Sequence, residues 1–569
     1  MAFDPLIQNL LEQVSKDEMI RHVQNLCKLT RVSGTEDEEK AVEYIVSTLK
    51  EYGVKTEIYE FDSLISQPKQ ARVDLIYPAL KSFKSITHPF SMTTPEEGIV
   101  AELLYIGKGS EEDYSAKNVR GKIVLTDGNA SPDKVWLAQN YGAIGQVFIS
   151  NENVPHEMII TTVWGTPSIK TSFRIPRIYV ASVSHEDGEI LKLGTSKGKV
   201  ILRLYTQTNT TWAKLRIPVA AIEGKEEPEK FVLIGGHLDS WYVGATDNAT
   251  GNASCLEIAR VLNKNKESLR RSVKIAWWVG HSQGRYSGST YFVDKEWDDL
   301  NDNCISYINV DSPGSKGATV YLLEAMPETV DFSEEIAKTL TGAQVERLKP
   351  GRWGDQSFWG VGVPSIDCYS MAPIESRANV GGSGGGWWWH TPYDTEEYVD
   401  AENLVRDTKV NLAIALALTN SVVLPIKPSA NAGRYLEELL SLKDQDSEYL
   451  VDYDSLIHKA GELKSKLLKL EGSLNNIEEE RARKVNDVLM RLSRTLNPTL
   501  FTAAGRYEQD PAVDQPYLPI LHYVLKRDTL GKDNYQFLKV TLTRERNRIS
   551  DALSEAIKVT EECLQKTLA

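Results

Sequence analysis

The residues with the clearest chemical potential lie in one stretch, FVLIGGHLDSWYVGATDNATGNASCLEIAR, from Phe231 to Arg260. Phe231 to Ile234 is a short apolar run that reads as a buried strand. At its C-terminal end come His237 and Asp239, then a polar, glycine-containing turn to Asp247. Ala253, Leu256, Ala259 and Leu262 follow at helical spacing. A strand that delivers an imidazole and carboxylates into a loop before a helix is where open α/β sheets bind ligands. That donor set suits zinc or a similar divalent ion, with Asp239 placed to orient the His237 ring from behind. The alternative is a polar turn around a structural histidine. A second candidate is GHSQG, Gly280 to Gly284, which follows the strand-like SVKIAWWVG and fits the G-x-S-x-G nucleophile elbow with Ser282 as nucleophile.

GGHLDSW followed by a Gly-Ala-x-Asp-Asn segment resembles the co-catalytic zinc exopeptidase family, which includes zinc aminopeptidases, glutamate carboxypeptidase II and the transferrin receptor. The resemblance implies metal roles for His237 and Asp247. Two further stretches match in order: ISYINVDS, whose Asp311 takes the place of the next Asp ligand, and WWWHTPYDT, whose His390 takes that of the last His ligand. RWGDQSFW (Arg352 to Trp359) resembles the family's Gly-x-Asp segment near the substrate. Arg352, Trp353, Asp355, Trp387, Trp388, Trp389 and Tyr393 are the substrate-binding candidates on this ground. The glycine run Gly381 to Gly386 reads either as a mobile flap with an aromatic wall or as a surface loop whose tryptophans pack on the core.

The departure from the family is specific. Its adjacent Glu-Glu pair, general base and metal ligand, is replaced here by His281 and Ser282, with one extra residue before Gly288. Three readings follow. In the first, a metal-dependent hydrolase keeps His237, Asp247, Asp311 and His390 as ligands, and His281 serves as a fifth ligand or as the catalytic acid/base beside Asp239. Zinc is the expected ion, with manganese, iron or nickel as alternatives, and one ion rather than two. In the second, the chain is an inactive, transferrin-receptor-like scaffold. In the third, Ser282 acts as a serine-hydrolase nucleophile with Asp311 and His390.

The elements that must position these residues are legible from pattern. Residues 1–71 and 216–429 alternate helices and strands, as expected for an α/β domain: a mixed, mostly parallel sheet sandwiched by helices. In its first part Thr35 and Glu38 suit a capping box, Ala41, Ile45 and Leu49 an apolar face, and Gly53 a helix end. Residues 72–215 carry short strands between turns and resemble a β-rich protease-associated insert. Residues 430–569 are helical, with a stripe at Leu456, Ala460, Leu463, Leu467 and Leu470 and another beginning at Ile549, Leu553 and Ala556. Their placement resembles a dimerisation domain and implies a homodimer; the alternative is a monomeric bundle packed on the sheet domain.

The 569 residues exceed a single core. Lys+Arg 65 against Asp+Glu 79 gives a net charge of −14, which argues against nucleic acid or an anionic membrane as partner. No apolar run is long enough to span a bilayer, and the N-terminal residues lack a secretory pattern. Cys27, Cys255, Cys304, Cys368 and Cys563 are scattered without metal-site spacing, as in a reducing cytoplasm. A cytoplasmic enzyme acting on a small molecule or short peptide is the expectation. The segment PSIDCYS offers no arginine patch for an acidic C-terminal residue.

Overall fold

A computed structural model describes residues 5–378, 380–475 and 477–566. Eight strands form the half of the sheet that carries the chemistry: β1 (Lys55–Tyr77), β2 (Val200–Ile222), β3 (Glu227–His237), β4 (Arg271–Trp278), β5 (Cys304–Asn309), β6 (Val320–Ala325), β7 (Val345–Leu348) and β8 (Ser365–Met371). Their spatial order is β7-β6-β8-β5-β3-β4-β2-β1. β3 lies at the centre, parallel to both β4 and β5, while β6, β2 and β1 bring antiparallel pairings. Helices cover both faces, which is why Phe231 to Ile234 is buried on alternate sides without polar interruption.

The Gly235-Gly236 pair is dictated by this packing. A Cβ on Gly235 would sit 2.2 Å from Trp278 Nε1, and one on Gly236 would sit 2.6 Å from the Val310 carbonyl. Register pairs His237 with Trp278, so the His and the loop after β4 emerge at the same edge. Helix α1 (Glu36–Glu51) has Thr35 as its N-cap, but Glu38 reaches back to the Gly34 N–H rather than closing the box on Thr35.

β1 and β2, each of 23 residues, pair antiparallel along almost their whole length although the insert separates them in the chain, so the expected borders at 71/72 and 215/216 fall inside them. Their far ends join the insert, where Ile99–Tyr105, Ile123–Asp127, Gly145–Ile149 and Tyr179–Val183 extend the same sheet with helices packed alongside.

The C-terminal helices α2 (Pro428–Gln445), α3 (Tyr453–Gly472), α4 (Glu479–Phe501) and α5 (Lys532–Lys566) form a bundle. Leu456, Ala460, Leu463, Leu467 and Leu470, like Ile549, Leu553 and Ala556, are 0 % exposed within the single chain. They belong to the same core as the sheet. The stripes read as a dimer surface are therefore consumed inside the chain, because α3 packs between α2 and α5. All five cysteines are free, and no described helix is long and apolar enough to cross a membrane.

Candidate metal centre

His237, Asp247 and Asp311 place ligand atoms within 4.8 Å of one another. His237 Nδ1 donates to the Asp239 carbonyl at 2.9 Å, and His390 Nδ1 donates to the Glu157 carbonyl at 2.6 Å. A carbonyl only accepts, so both rings carry their proton on Nδ1 and present the Nε2 lone pair. Those two lone pairs converge on the two oxygens of Asp247, His237 on Oδ1 at 2.8 Å and His390 on Oδ2 at 3.0 Å. Asp311 Oδ1 lies 3.6 Å from His237 Nε2. Lone pairs facing a buried carboxylate are repulsive unless a cation, or a second proton on each ring, lies between them. Burial disfavours charging His237, but Asp311 and Asp247 outweigh it and raise its pKa well above the usual range. Burial likewise works against ionising Asp247, and its hydrogen bonds to His237 and His390 reverse that, holding its pKa well below the carboxylate range.

The donors thus fit a divalent ion on His237, Asp247 Oδ1 and Asp311. His390 Nε2 faces the other oxygen of Asp247, Oδ2, outside this set of three. The ligand loop is held from several sides. Asp394 accepts from Thr246 N and Oγ1 at 2.9 and 2.7 Å and from Asp247 N at 3.0 Å. Asn248 accepts from Ser312 N and donates to the Val310 carbonyl, tying the Asp247 loop to the Asp311 loop. Buried Arg31 bonds the carbonyls of Leu238, Val243 and Gly244. Asp394 and Arg31 went unassigned in the sequence. Asp394 stands in the quoted HTPYDT segment, and an Asp four residues after a ligand His was the available signal.

His281 stands beside this cluster rather than in it. Its ring stacks on His237, centroids 3.9 Å apart and 18° from parallel. Two parallel rings at that spacing cannot both aim an in-plane lone pair at one ion. His281 Nδ1 instead donates to Asp355 Oδ2 at 2.9 Å, and Asp355 Oδ1 accepts from Ser289 Oγ at 2.7 Å. Asp239 orients His237 through its backbone carbonyl, while its buried carboxylate accepts from His281 N at 3.1 Å and Ser282 N at 2.8 Å. Its side chain therefore sets the backbone that presents His281.

The serine arrangement does not assemble. No hydrogen bond joins Ser282 Oγ to a histidine among the described residues, and Asp311 does not orient His390, whose Nδ1 is on the Glu157 carbonyl. The positive-φ strain of the loop falls on Arg285 (φ 52°) and Tyr286 (φ 65°), not on Ser282.

The cluster opens into a cavity of about 650 Å³ lined by Asp247, His281, Asp311, His390, Arg352, Trp353 and Trp389, together with Arg285 and Tyr286. Of the three consecutive tryptophans only Trp389 reaches it, stacked 3.7 Å over His390. Trp388 is buried against Tyr398 with its Nε1 on Thr246 Oγ1, and Trp387 packs on the half-exposed Tyr393 away from the cavity. The expected aromatic wall is corrected to Trp389 alone. The glycine run is packed, not free: a Cβ on Gly382 would meet Trp389 Nε1 at 2.3 Å, and one on Gly384 (φ 65°) would meet Ser315 Cβ at 2.6 Å.

Comparison with known proteins identifies two domain types in the chain. Residues 219–415 match peptidase family M28, and residues 97–191 match the PA domain. The chain is 24% identical to "Probable glutamate carboxypeptidase VP8" of Zea mays over 72% of this chain and 68% of that protein. It is 23% identical to "Aminopeptidase NAALADL1" of Mus musculus over 88% and 85%. The alignments span only 62% and 58% of two further probable glutamate carboxypeptidases, AMP1 and LAMP1 of Arabidopsis thaliana. Among solved structures, a peptidase M28 precursor from Shewanella amazonensis superposes with a TM-score of 0.59 at 18% identity, covering 74% of this chain and 97% of that one. At that identity the likeness establishes the fold. The sheet domain thus has a zinc-peptidase-like fold and matches peptidase family M28 over residues 219–415, with the PA-domain match falling in the insert.

Proposed function

We propose that this chain, which joins a peptidase family M28 domain to a PA domain, is a metal-dependent hydrolase cleaving an amide or related bond of a short peptide or small molecule. The observation that carries the reading is His281: paired with Asp355, stacked on His237, and lining the same cavity as the ligand cluster. His237, Asp247 and Asp311 would hold one divalent ion, zinc in the first instance, with His390 on the far oxygen of Asp247. When bound, such an ion polarises a carbonyl oxygen and makes water a nucleophile at neutral pH.

His281 then does the work of the missing glutamate. Its Nε2 takes a proton from the attacking water and returns it to the departing amine. Asp355 keeps the other proton on Nδ1 and stabilises the imidazolium that forms in between. Asp239 fixes the backbone from which the ring projects. The relatives' printed names include both a carboxypeptidase and an aminopeptidase, so they leave the end of the substrate open.

The test is elemental analysis after incubation with zinc, manganese, iron and nickel in turn, followed by mass-spectrometric readout of a short-peptide library. The reading expects about one ion per chain and metal-dependent cleavage. Ser282→Ala should keep substantial activity, and a fluorophosphonate probe should leave Ser282 unlabelled. A protein that takes up no ion and cleaves nothing is a scaffold, and labelling at Ser282 with loss of activity overturns the assignment.

A further inference from the structure

The loop that replaces the family's Glu-Glu pair does more than present His281. Its extra residue lets the chain turn through two consecutive left-handed residues, Arg285 (φ 52°) and Tyr286 (φ 65°). Non-glycine residues adopt that conformation at a cost, and such strain persists where the surroundings enforce it. Here the turn is pinned by hydrogen bonds from Gly165 N to the Arg285 carbonyl and from Tyr286 N to the His281 carbonyl. The outcome is a second arginine in the cavity wall. Arg285 is 8 % exposed and Arg352 3 %, and both line the cavity that holds the ligand cluster. Both approach the indole of Trp164, with guanidinium carbons 6.0 and 3.9 Å from its centroid.

These two arginines are poorly satisfied. Arg285 donates to Tyr286 OH at 3.3 Å and the Ala512 carbonyl at 3.3 Å. Arg352 donates to the Gln356 carbonyl at 3.4 Å and the Asp510 carbonyl at 3.1 Å. The Nε of each is buried without a partner. Neither forms an ion pair among the described residues. Arg31, equally buried, shows the ordinary solution: its guanidinium is spent on the carbonyls of Leu238, Leu26, Leu29, Val243 and Gly244. Two buried cations side by side, with donors left over, are costly unless an anion completes them. The five acids lining the cavity do not: Asp247 and Asp311 belong to the ligand cluster, Asp367 is committed through Oδ2 to Asn309, Asp514 pairs with Lys349, and the exposed Asp133 accepts from Ser131 Oγ. A guanidinium fork matches a carboxylate in shape and charge.

We propose that Arg285 and Arg352 form an anion subsite that takes a carboxylate of the substrate. Calling that molecule the substrate rests on the hydrolase reading; the binding site itself does not. Such a subsite selects short peptides or acyl-amino acids carrying a free carboxylate, either at the chain end or on an acidic side chain. Arg352 was a sequence candidate; Arg285 was not, because the adjacent family residues gave it no counterpart.

The experiment is calorimetric titration of the full chain, zinc-loaded and chelator-treated, with three probes. N-acetyl-Ala-Ala carries only an α-carboxylate, N-acetyl-Ala-Glu-amide only a side-chain carboxylate, and N-acetyl-Ala-Ala-amide neither. At least one carboxylate probe should bind about ten- to a hundredfold tighter than the neutral amide, equally in both protein forms, and the preferred probe identifies the source of the anion. Arg285→Gln and Arg352→Gln should each erase most of that preference without weakening the neutral amide, and Arg285→Lys should retain part of it. The wild-type comparison holds even where a variant fails to fold. Equal binding of all three probes, a preference confined to the zinc-loaded form, or no binding of either carboxylate overturns the proposal. A preference that survives in a chain that neither keeps metal nor cleaves peptides upholds the subsite and sinks the hydrolase.

Discussion

Replacing Asp239 tests how the site is presented, and it needs no substrate. The Asp239 side chain is 0 % exposed, and its two oxygens accept from His281 N at 3.1 Å and Ser282 N at 2.8 Å. Asp239→Ala removes both acceptors in a place that water does not reach. Each orphaned buried N–H costs about 1–3 kcal/mol, so the loss is about 2–6 kcal/mol. Asp239→Asn keeps one acceptor and turns an amide N–H₂ towards the other donor, for about half that loss. Urea unfolding followed by tryptophan fluorescence measures both, since Trp241, Trp277 and Trp278 are buried in this domain. The ordering wild type, Asn, Ala is the signature. A stability of Asp239→Ala within about 0.5 kcal/mol of wild type, as for a surface change, would refute the claim that this carboxylate builds the His281 turn.

Asp394→Asn unseats the Thr246 and Asp247 amides and should weaken zinc affinity about 10–100-fold in a chelator competition, with the ligands themselves untouched. His88 is fully buried between Ser182 Oγ and Met158 N, and burial pushes its pKa down from 6.5 to about 3. The unfolded chain therefore binds the extra proton first, so the His88 contribution is complete above about pH 6.5 and is lost as pH falls towards 3. By pH 5 the loss is ~2 kcal/mol, and His88→Gln should flatten that part of a stability-against-pH curve. Leu463→Ala, at a position 0 % exposed in one chain, should cost about 2–5 kcal/mol and leave the light-scattering mass unchanged; a change of mass would return the stripe to an interface.

What could be read from the sequence was whatever local pattern determines. The apolar run before His237 identified a buried central strand, and the motif order brought His237, Asp247, Asp311 and His390 to one point. Long-range packing was not readable. The stripe on α3 has the same spacing whether it meets a second chain or α5, and only the fold decides. Three tryptophans before His390 suggested a wall, but the turn sends Trp388 into the core and Trp387 outward. Glycines read as a flap are small because Trp389 and Ser315 press on them. Asp239 was assigned to the His237 ring, yet its carboxylate serves the next strand's loop, a contact 42 residues away in the chain. Arg285 was hidden because its place in the cavity depends on a left-handed turn created by one inserted residue.

In the proposed mechanism His281 moves protons while His237, Asp247 and Asp311 hold the ion. Metal content and turnover of His281→Ala, measured on the same preparation beside wild type, test it most directly. Unchanged metal content with a rate lowered roughly 10²–10⁴-fold is the expected result. Loss of the metal together with the rate would make His281 a ligand, and an unaltered rate would remove it from the chemistry altogether.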